Sequence, residues 1–191
     1  KEALQNKGIL FTMIMFFLIQ VCVMLLQPLI TMYVGQLMGQ VNDEAVQMAG
    51  VIFSLAGISG ILAAPFWGKR GQRYGYVKTF CYITFGAGVV NLLQFFTTDV
   101  YQFAVVQFIY GLFLAGAIPN INANLAEVTD KSIRGKAFGL VTSAQMSGGF
   151  VGPLLGGALG YFLPTKLVII STGIILISVA GYTYLKKIKE L

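Results

Sequence analysis

The sequence predicts an all-α membrane protein, a bundle of six transmembrane helices, on three observations. Charged residues are only 10% of the 191 residues and hydrophobic ones 57%, whereas a soluble domain carries about a quarter charged. The charges are also clustered. Between them lie six charge-free stretches, Gly8–Asn42, Ala45–Gly68, Thr79–Thr98, Val100–Ala126, Ala137–Thr165 and Leu167–Leu185, of 19 to 35 residues. A helix needs about 20 apolar residues to cross roughly 30 Å of hydrocarbon, so each stretch suffices for one crossing. A buried soluble helix explains one such stretch but not six in series. Finally, the runs are continuously apolar, unlike the ~10-residue alternating strands of an outer-membrane barrel.

The first helix is placed at Ile9–Met38, bent near its far end by Pro28, because proline removes a backbone donor and crowds the preceding turn. After the loop "GQVNDEAVQ", the second helix, Val46–Trp67, returns to the basic loop "GKRGQRYGYVK". The third, Tyr76–Phe96, ends in a short turn at Asp99. The fourth, Tyr101–Leu125, leads into "EVTDKSIRGK". The fifth, Ala137–Phe162, is rich in glycine and closed off by Pro164, and the sixth, Leu167–Leu185, finishes in "KKIKEL". Residues 1–8, "KEALQNKG", read as the end of a linker with more chain before it, 9–185 as the bundle and 186–191 as a tail.

Cation placement orients the bundle. Lys1, Lys7, Lys69, Arg70, Arg73, Lys78, Lys131, Arg134, Lys136, Lys186, Lys187 and Lys189 fall on one side and Lys166 alone on the other. Cytoplasmic loops carry the excess of Lys and Arg, so both termini and both basic loops are expected in the cytoplasm, with the bundle multi-pass in the cell membrane. The net charge of +6 is thus a topology signal, suited to anionic lipid rather than nucleic acid. There is no histidine, and Cys22 and Cys81 lie inside spans as small packing residues. Neither a metal site nor a cofactor is expected. No embedded acid and no nucleophile with a base supports an enzyme.

In "GGFVGPLLGG", Gly148, Gly152 and Gly156 recur every four residues and share one face. Small residues let membrane helices approach closely, so this face is expected to pack against, and rock on, another helix. Static packing is the blander alternative. Gly60-x4-Pro65-x2-Gly68 on the second helix matches Gly148-x4-Pro153-x2-Gly156 on the fifth. The two helices run in opposite directions three spans apart, as in an inverted three-plus-three repeat.

These motifs resemble those of the major facilitator superfamily. "GGFVGPLLGG" is similar to the G-x-x-x-G-P-x-x-G-G pattern of its drug/proton exchangers. "GKRGQRYGYVK" is similar to its loop signature, roughly G-x-L-x-D-R-x-G-R-K: Gly68, Arg73 and Gly75 match, while Gln72 replaces the acid and Tyr76 and Val77 replace basic positions. Glu127 and Arg134 have its E-x6-R spacing. The resemblance spans the chain as six of the family's usual twelve helices. The degraded loop and linker-like start suggest the C-terminal half, although the glycine–proline motif is usual in the N-terminal half. It implies a half bundle of inverted three-helix repeats that pairs with an N-terminal six-helix half and exports small amphipathic substrates in exchange for protons. Gly68, Arg73, Gly75, Glu127, Arg134, Gly148, Gly152, Pro153 and Gly156 would then be the gating set. Arg73 is expected to pair with Glu127 or Asp130, and Arg134 with a helix end or the same carboxylates.

Polar residues within the spans are candidates for the translocation path. Gln20, Gln27 and Thr31 form one stripe on the first helix. Tyr110, Phe113, Ala117, Asn120 and Asn124 form one on the fourth, and Thr142 and Gln145 sit on the fifth. Gln20, Gln27, Thr31, Tyr110, Phe113, Asn120, Asn124 and Gln145 are therefore the candidate substrate-binding residues. Interhelical hydrogen bonding is the alternative role for each. All seven acids, Glu2, Asp43, Glu44, Asp99, Glu127, Asp130 and Glu190, lie at loops or ends, so a proton-coupling carboxylate is expected in the other half. The rival readings are a nutrient or sugar symporter of the same fold and a non-transporting six-helix module.

Overall fold

The computed structural model describes residues 7–189, with side chains through Lys186. Residues 1–6 of the expected linker and residues 190–191 of the expected tail lie outside it. Every element among the described residues is helical: α1 (Lys7–Leu37), α2 (Asp43–Tyr74), α3 (Tyr76–Leu93, extended by a 3-10 turn, Gln94–Phe96), α4 (Val100–Leu114), α5 (Ala117–Val128), α6 (Arg134–Phe162) and α7 (Thr165–Lys189). Asn42 caps α2 by accepting from the Ala45 amide at 3.0 Å, ahead of Asp43 and Glu44 in the first turn, where negative charge complements the helix dipole. Asp99 caps α4 through the Tyr101 and Gln102 amides. Asp43, Glu44 and Asp99 are thus spent on helix starts.

Two expectations need correction. The basic loop after the second span is mostly helix, since α2 runs through Arg73 to Tyr74 and α3 resumes at Tyr76. Only Gly75 departs, at φ 90° and ψ 137°, a region where a side chain would clash. The fourth span is not continuous either, breaking at Ala115–Gly116 between α4 and α5. Pro119 explains the break, for it has no N–H to give the Ala115 carbonyl and its ring crowds that turn. Along α1, by contrast, the helix continues through Pro28.

Five crossings are long and apolar enough to span a membrane: α1, α2, α3 with its 3-10 turn, α4–α5 taken together, and α7 as far as Lys186. α6 is as long as the others at 29 residues, about 44 Å, but glycines and polar groups dilute its hydropathy. It lies along α1, the most extensive helix pairing in the molecule. Gly8, Phe11, Val77, Asn124, Val128, Thr183 and Lys186 border one depression, so the ends of α1, α3, α5 and α7 meet on a single basic face. At the opposite face the Lys166 ammonium donates to the Thr97 carbonyl at 3.2 Å, and the hydroxyls of Tyr33 and Thr97 lie 3.1 Å apart. The six crossings alternate as expected.

The main pairings are α1 with α6, α2 with α4, and α3 with α7. Exchanging the first three crossings for the last three turns the first pairing into the second and the third into itself, the symmetry of an inverted repeat. The α3/α7 contact is reciprocal: a Cβ on Gly88 would sit 2.9 Å from the Gly173 carbonyl oxygen, and one on Gly173 would sit 3.1 Å from that of Gly88.

Candidate substrate cavity and gating seam

α1, α2, α4, the start of α5 and Gln145 of α6 line an open cavity of about 470 Å³. α3 contributes nothing to its wall. Its polar groups are Gln20 and Gln27 from α1, Gln107 and Tyr110 from α4, and Gln145 from α6, set among Met24, Phe53, Leu114 and Ile118, with the small residues Gly57 and Gly60 of α2 opening the floor. No charged side chain among the described residues lines it. Gln20 and Gln145 reach each other, the Gln145 amide donating to the Gln20 carbonyl oxygen at 3.4 Å. Gln107 is fixed from behind, accepting from the Gln94 amide at 2.8 Å. The Tyr110 hydroxyl is buried without a hydrogen-bond partner. The residue belongs to an apolar cluster with Cys22, Ala87, Val90 and Leu176, which do not line the cavity, and an orphan hydroxyl in such a setting is unfavourable. A mostly apolar wall with a few oriented polar groups suits a small amphipathic guest.

Four of the eight candidate binding residues, Gln20, Gln27, Tyr110 and Gln145, meet in this cavity. The other four lie elsewhere. Thr31 is half-buried on α1, outside the cavity lining, and Asn124 borders the depression on the basic face. Phe113 packs on Trp67, ring centroids 5.8 Å apart, and against Gly86. Asn120 is buried, its amide donating to the Gly116 carbonyl at 2.8 Å and the Trp67 carbonyl at 3.3 Å. Gln107 escaped the sequence reading, although it lies one helical turn before Tyr110 on the same stripe.

The broken fourth span explains what Asn120 and Trp67 do. The Gly116 amide turns to the Phe113 carbonyl, leaving that of Leu112 without its helical donor. The Trp67 indole supplies one at 2.7 Å. Asn120 needs the space left by Gly71, where a Cβ would meet its side-chain oxygen.

Among the gating candidates, the glycines of α6 face α1 in register. A Cβ on Gly148 would sit 2.7 Å from the Phe17 carbonyl oxygen, and one on Gly152 would sit 2.7 Å from Met24 Cβ and 3.0 Å from the Val21 carbonyl oxygen. One on Gly156 would strike the Leu25 carbonyl oxygen. Pro153 is accommodated within α6. Gly68 adjoins open space. Arg134 donates to the Ala126 carbonyl at 2.7 Å and the Thr129 carbonyl at 3.4 Å, so it closes the end of α5. The expected pairing of Arg73 with Glu127 or Asp130 is not formed. All three are exposed, and the Arg73 guanidinium lies 5.5 Å from the Tyr74 ring centroid. At the end of a helix facing water and headgroups, a lone pair gains too little to hold two side chains together.

Comparison with known proteins agrees with this architecture. Residues 9–189 match the family described as the Major Facilitator Superfamily. The chain is 33% identical over 136 residues to "Multidrug resistance protein MdtG" of Yersinia enterocolitica, covering 71% of this chain and 32% of that protein. It is 32% identical over 136 residues to the Escherichia coli protein of the same name, covering 71% and 33%. The match spans about a third of the length of these relatives. Six crossings in mirrored pairs, a cavity between them and a match along nearly the whole chain lead to one conclusion: this chain belongs to the Major Facilitator Superfamily.

Proposed function

We propose that the chain is the C-terminal six-helix half of a proton-coupled multidrug efflux transporter of the cell membrane, with its basic face in the cytoplasm. The uncharged 470 Å³ cavity carries the reading. Met24, Phe53, Tyr110 and the surrounding aliphatic side chains offer adaptable apolar area, while Gln20, Gln27, Gln107 and Gln145 offer hydrogen bonds without demanding one charge or shape. The two relatives named for multidrug resistance support the same substrate class.

An N-terminal six-helix half is the partner this reading assigns. α2 and α6 flank the cavity and carry exposed apolar side chains, Val51, Ile58, Ile61 and Leu62 on the first and Met146, Phe150 and Leu154 on the second. A second bundle seated on them would close the cavity and rock across it in alternating access. Gly68, Arg73, Gly75, Glu127 and Arg134 on the basic face, with the α6 glycines and Pro153, form the gating region. Asp43, Glu44, Asp99, Glu127 and Asp130 sit at helix ends or in loops, so the coupling carboxylate belongs to the other half.

The test is dye accumulation in cells stripped of their own pumps and expressing the full-length protein. Lower accumulation of lipophilic dyes, restored by a proton ionophore, is expected. Gln27→Leu and Gln107→Leu should each shift the dye preference. Unchanged accumulation across a broad dye panel with the protein in the membrane, or proton-driven uptake of a sugar instead, would sink the reading.

A further inference from the structure

A second cavity, of about 520 Å³, lies between α1 and α7 on the outside of the bundle and takes no part in the substrate site. Its walls are Leu10, Phe11, Ile14, Met15 and Leu18 on α1 and Ile175, Ser178, Val179 and Tyr182 on α7, with Lys7 and Lys186 at one end. Leu10, Ile14, Ile175 and Tyr182 are exposed. The Ser178 hydroxyl is turned back to the Ile174 carbonyl at 2.8 Å, so the wall it contributes is effectively apolar. The Lys186 ammonium lies 4.1 Å from the Phe11 ring centroid, a cation–π contact that holds it at the mouth. No carboxylate among the described residues lines the groove.

Two features identify the occupant. Lys7 to Leu18 and Ile175 to Lys186 are each twelve residues, about 16 Å from end to end at 1.5 Å per residue. That is close to half of the roughly 30 Å hydrocarbon core, the depth of one leaflet. Both cations sit at the end on the basic face and none at the other. An apolar polypeptide helix covering the groove would bury two ammonium groups without a counter-charge, which is strongly unfavourable. We propose that this groove binds one anionic phospholipid from the leaflet bordering the basic face. Its phosphate sits between Lys7 and Lys186, and one acyl chain lies along the α1 and α7 walls.

The experiment places a benzophenone-bearing amino acid at Ile14 in the full-length protein, reconstituted in equal parts phosphatidylglycerol and phosphatidylcholine. Irradiation and intact-mass analysis then identify what the groove holds. Phosphatidylglycerol adducts should exceed phosphatidylcholine adducts about tenfold, given the pull of two basic groups on anionic lipid. Lys7→Gln combined with Lys186→Gln should bring the ratio near one, while Lys136→Gln, outside the groove, should leave it unchanged. Ile175 serves as a second labelling position on the facing wall if the first disturbs folding. Equal capture of both lipids by the otherwise unaltered protein, a ratio unmoved by the double substitution, or an adduct with another polypeptide would overturn the proposal.

Discussion

The two helix pairs that the inverted repeat should make alike, α1 with α6 and α2 with α4–α5, are held by different means. In the first, Gly148, Gly152 and Gly156 bring backbone against backbone, and the polar contact between the helices is the 3.4 Å Gln145–Gln20 bond. In the second, glycines lie on both partners: Gly111 and Gly116 of the fourth span receive Ser59 and Trp67, and Gly71 of α2 receives Asn120. There hydrogen bonds of Trp67 and Asn120 pin α2 to the break between α4 and α5. Gly60 and Gly68, the sequence counterparts of Gly148 and Gly156, have open space or ordinary contact around them. The shared Gly/Pro pattern therefore marks equivalent positions without dictating equivalent packing. The first seam is smooth, with little directional bonding to break if one helix shifts along the other, whereas the second is an anchor.

The sharpest way to break this contrast is Gly156→Leu. Its Cβ meets a backbone carbonyl that has nowhere to go, so loss of more than about 3 kcal/mol is expected. Size-exclusion of the detergent-solubilised protein should show little folded material, and a normal melting profile would remove the close-approach argument. Next in size are Trp67→Phe, which leaves the Leu112 carbonyl unpartnered, and Asn120→Leu. Each should destabilise by about 1–3 kcal/mol with the substrate range of surviving protein unchanged. A shifted dye profile for Asn120→Leu would return that residue to the cavity. Gln145→Leu should lower the melting temperature only slightly, in line with the average of about 0.6 kcal/mol for such membrane hydrogen bonds, yet alter the dye preference. Smallest of all, Gly60→Ala should be neutral or stabilising by up to about 1 kcal/mol, since the site has room and alanine is the better helix former. Destabilisation comparable to that of Gly156→Leu would show that the two seams are alike after all.

Several of these features were legible in the residues themselves. The α6 glycines could be found because a spacing of four fixes one face of a helix whatever surrounds it. Gln20, Gln27, Tyr110 and Gln145 were legible as polar interruptions of apolar spans. Asn120 was not, because an amide on such a stripe looks the same whether it faces a cavity or repairs a helix. Pro119 beside it was the available signal. Gln107 was overlooked for want of extending the stripe by one turn. The helical continuation of α2 to Tyr74 was hidden by its charges, which resemble a loop but suit a helix end projecting into headgroups.

By itself, the sequence determined that the chain crosses a membrane six times with all its cations but Lys166 on one face. Hydrocarbon excludes charge and unpaired backbone whatever the neighbours are, so composition and spacing suffice. Only the tertiary structure decided which polar groups meet in the cavity, where the fourth span breaks, and which glycines bear a neighbour. Those outcomes depend on what stands opposite each residue, and pattern along a single helix gives the face a side chain occupies without the partner it will find.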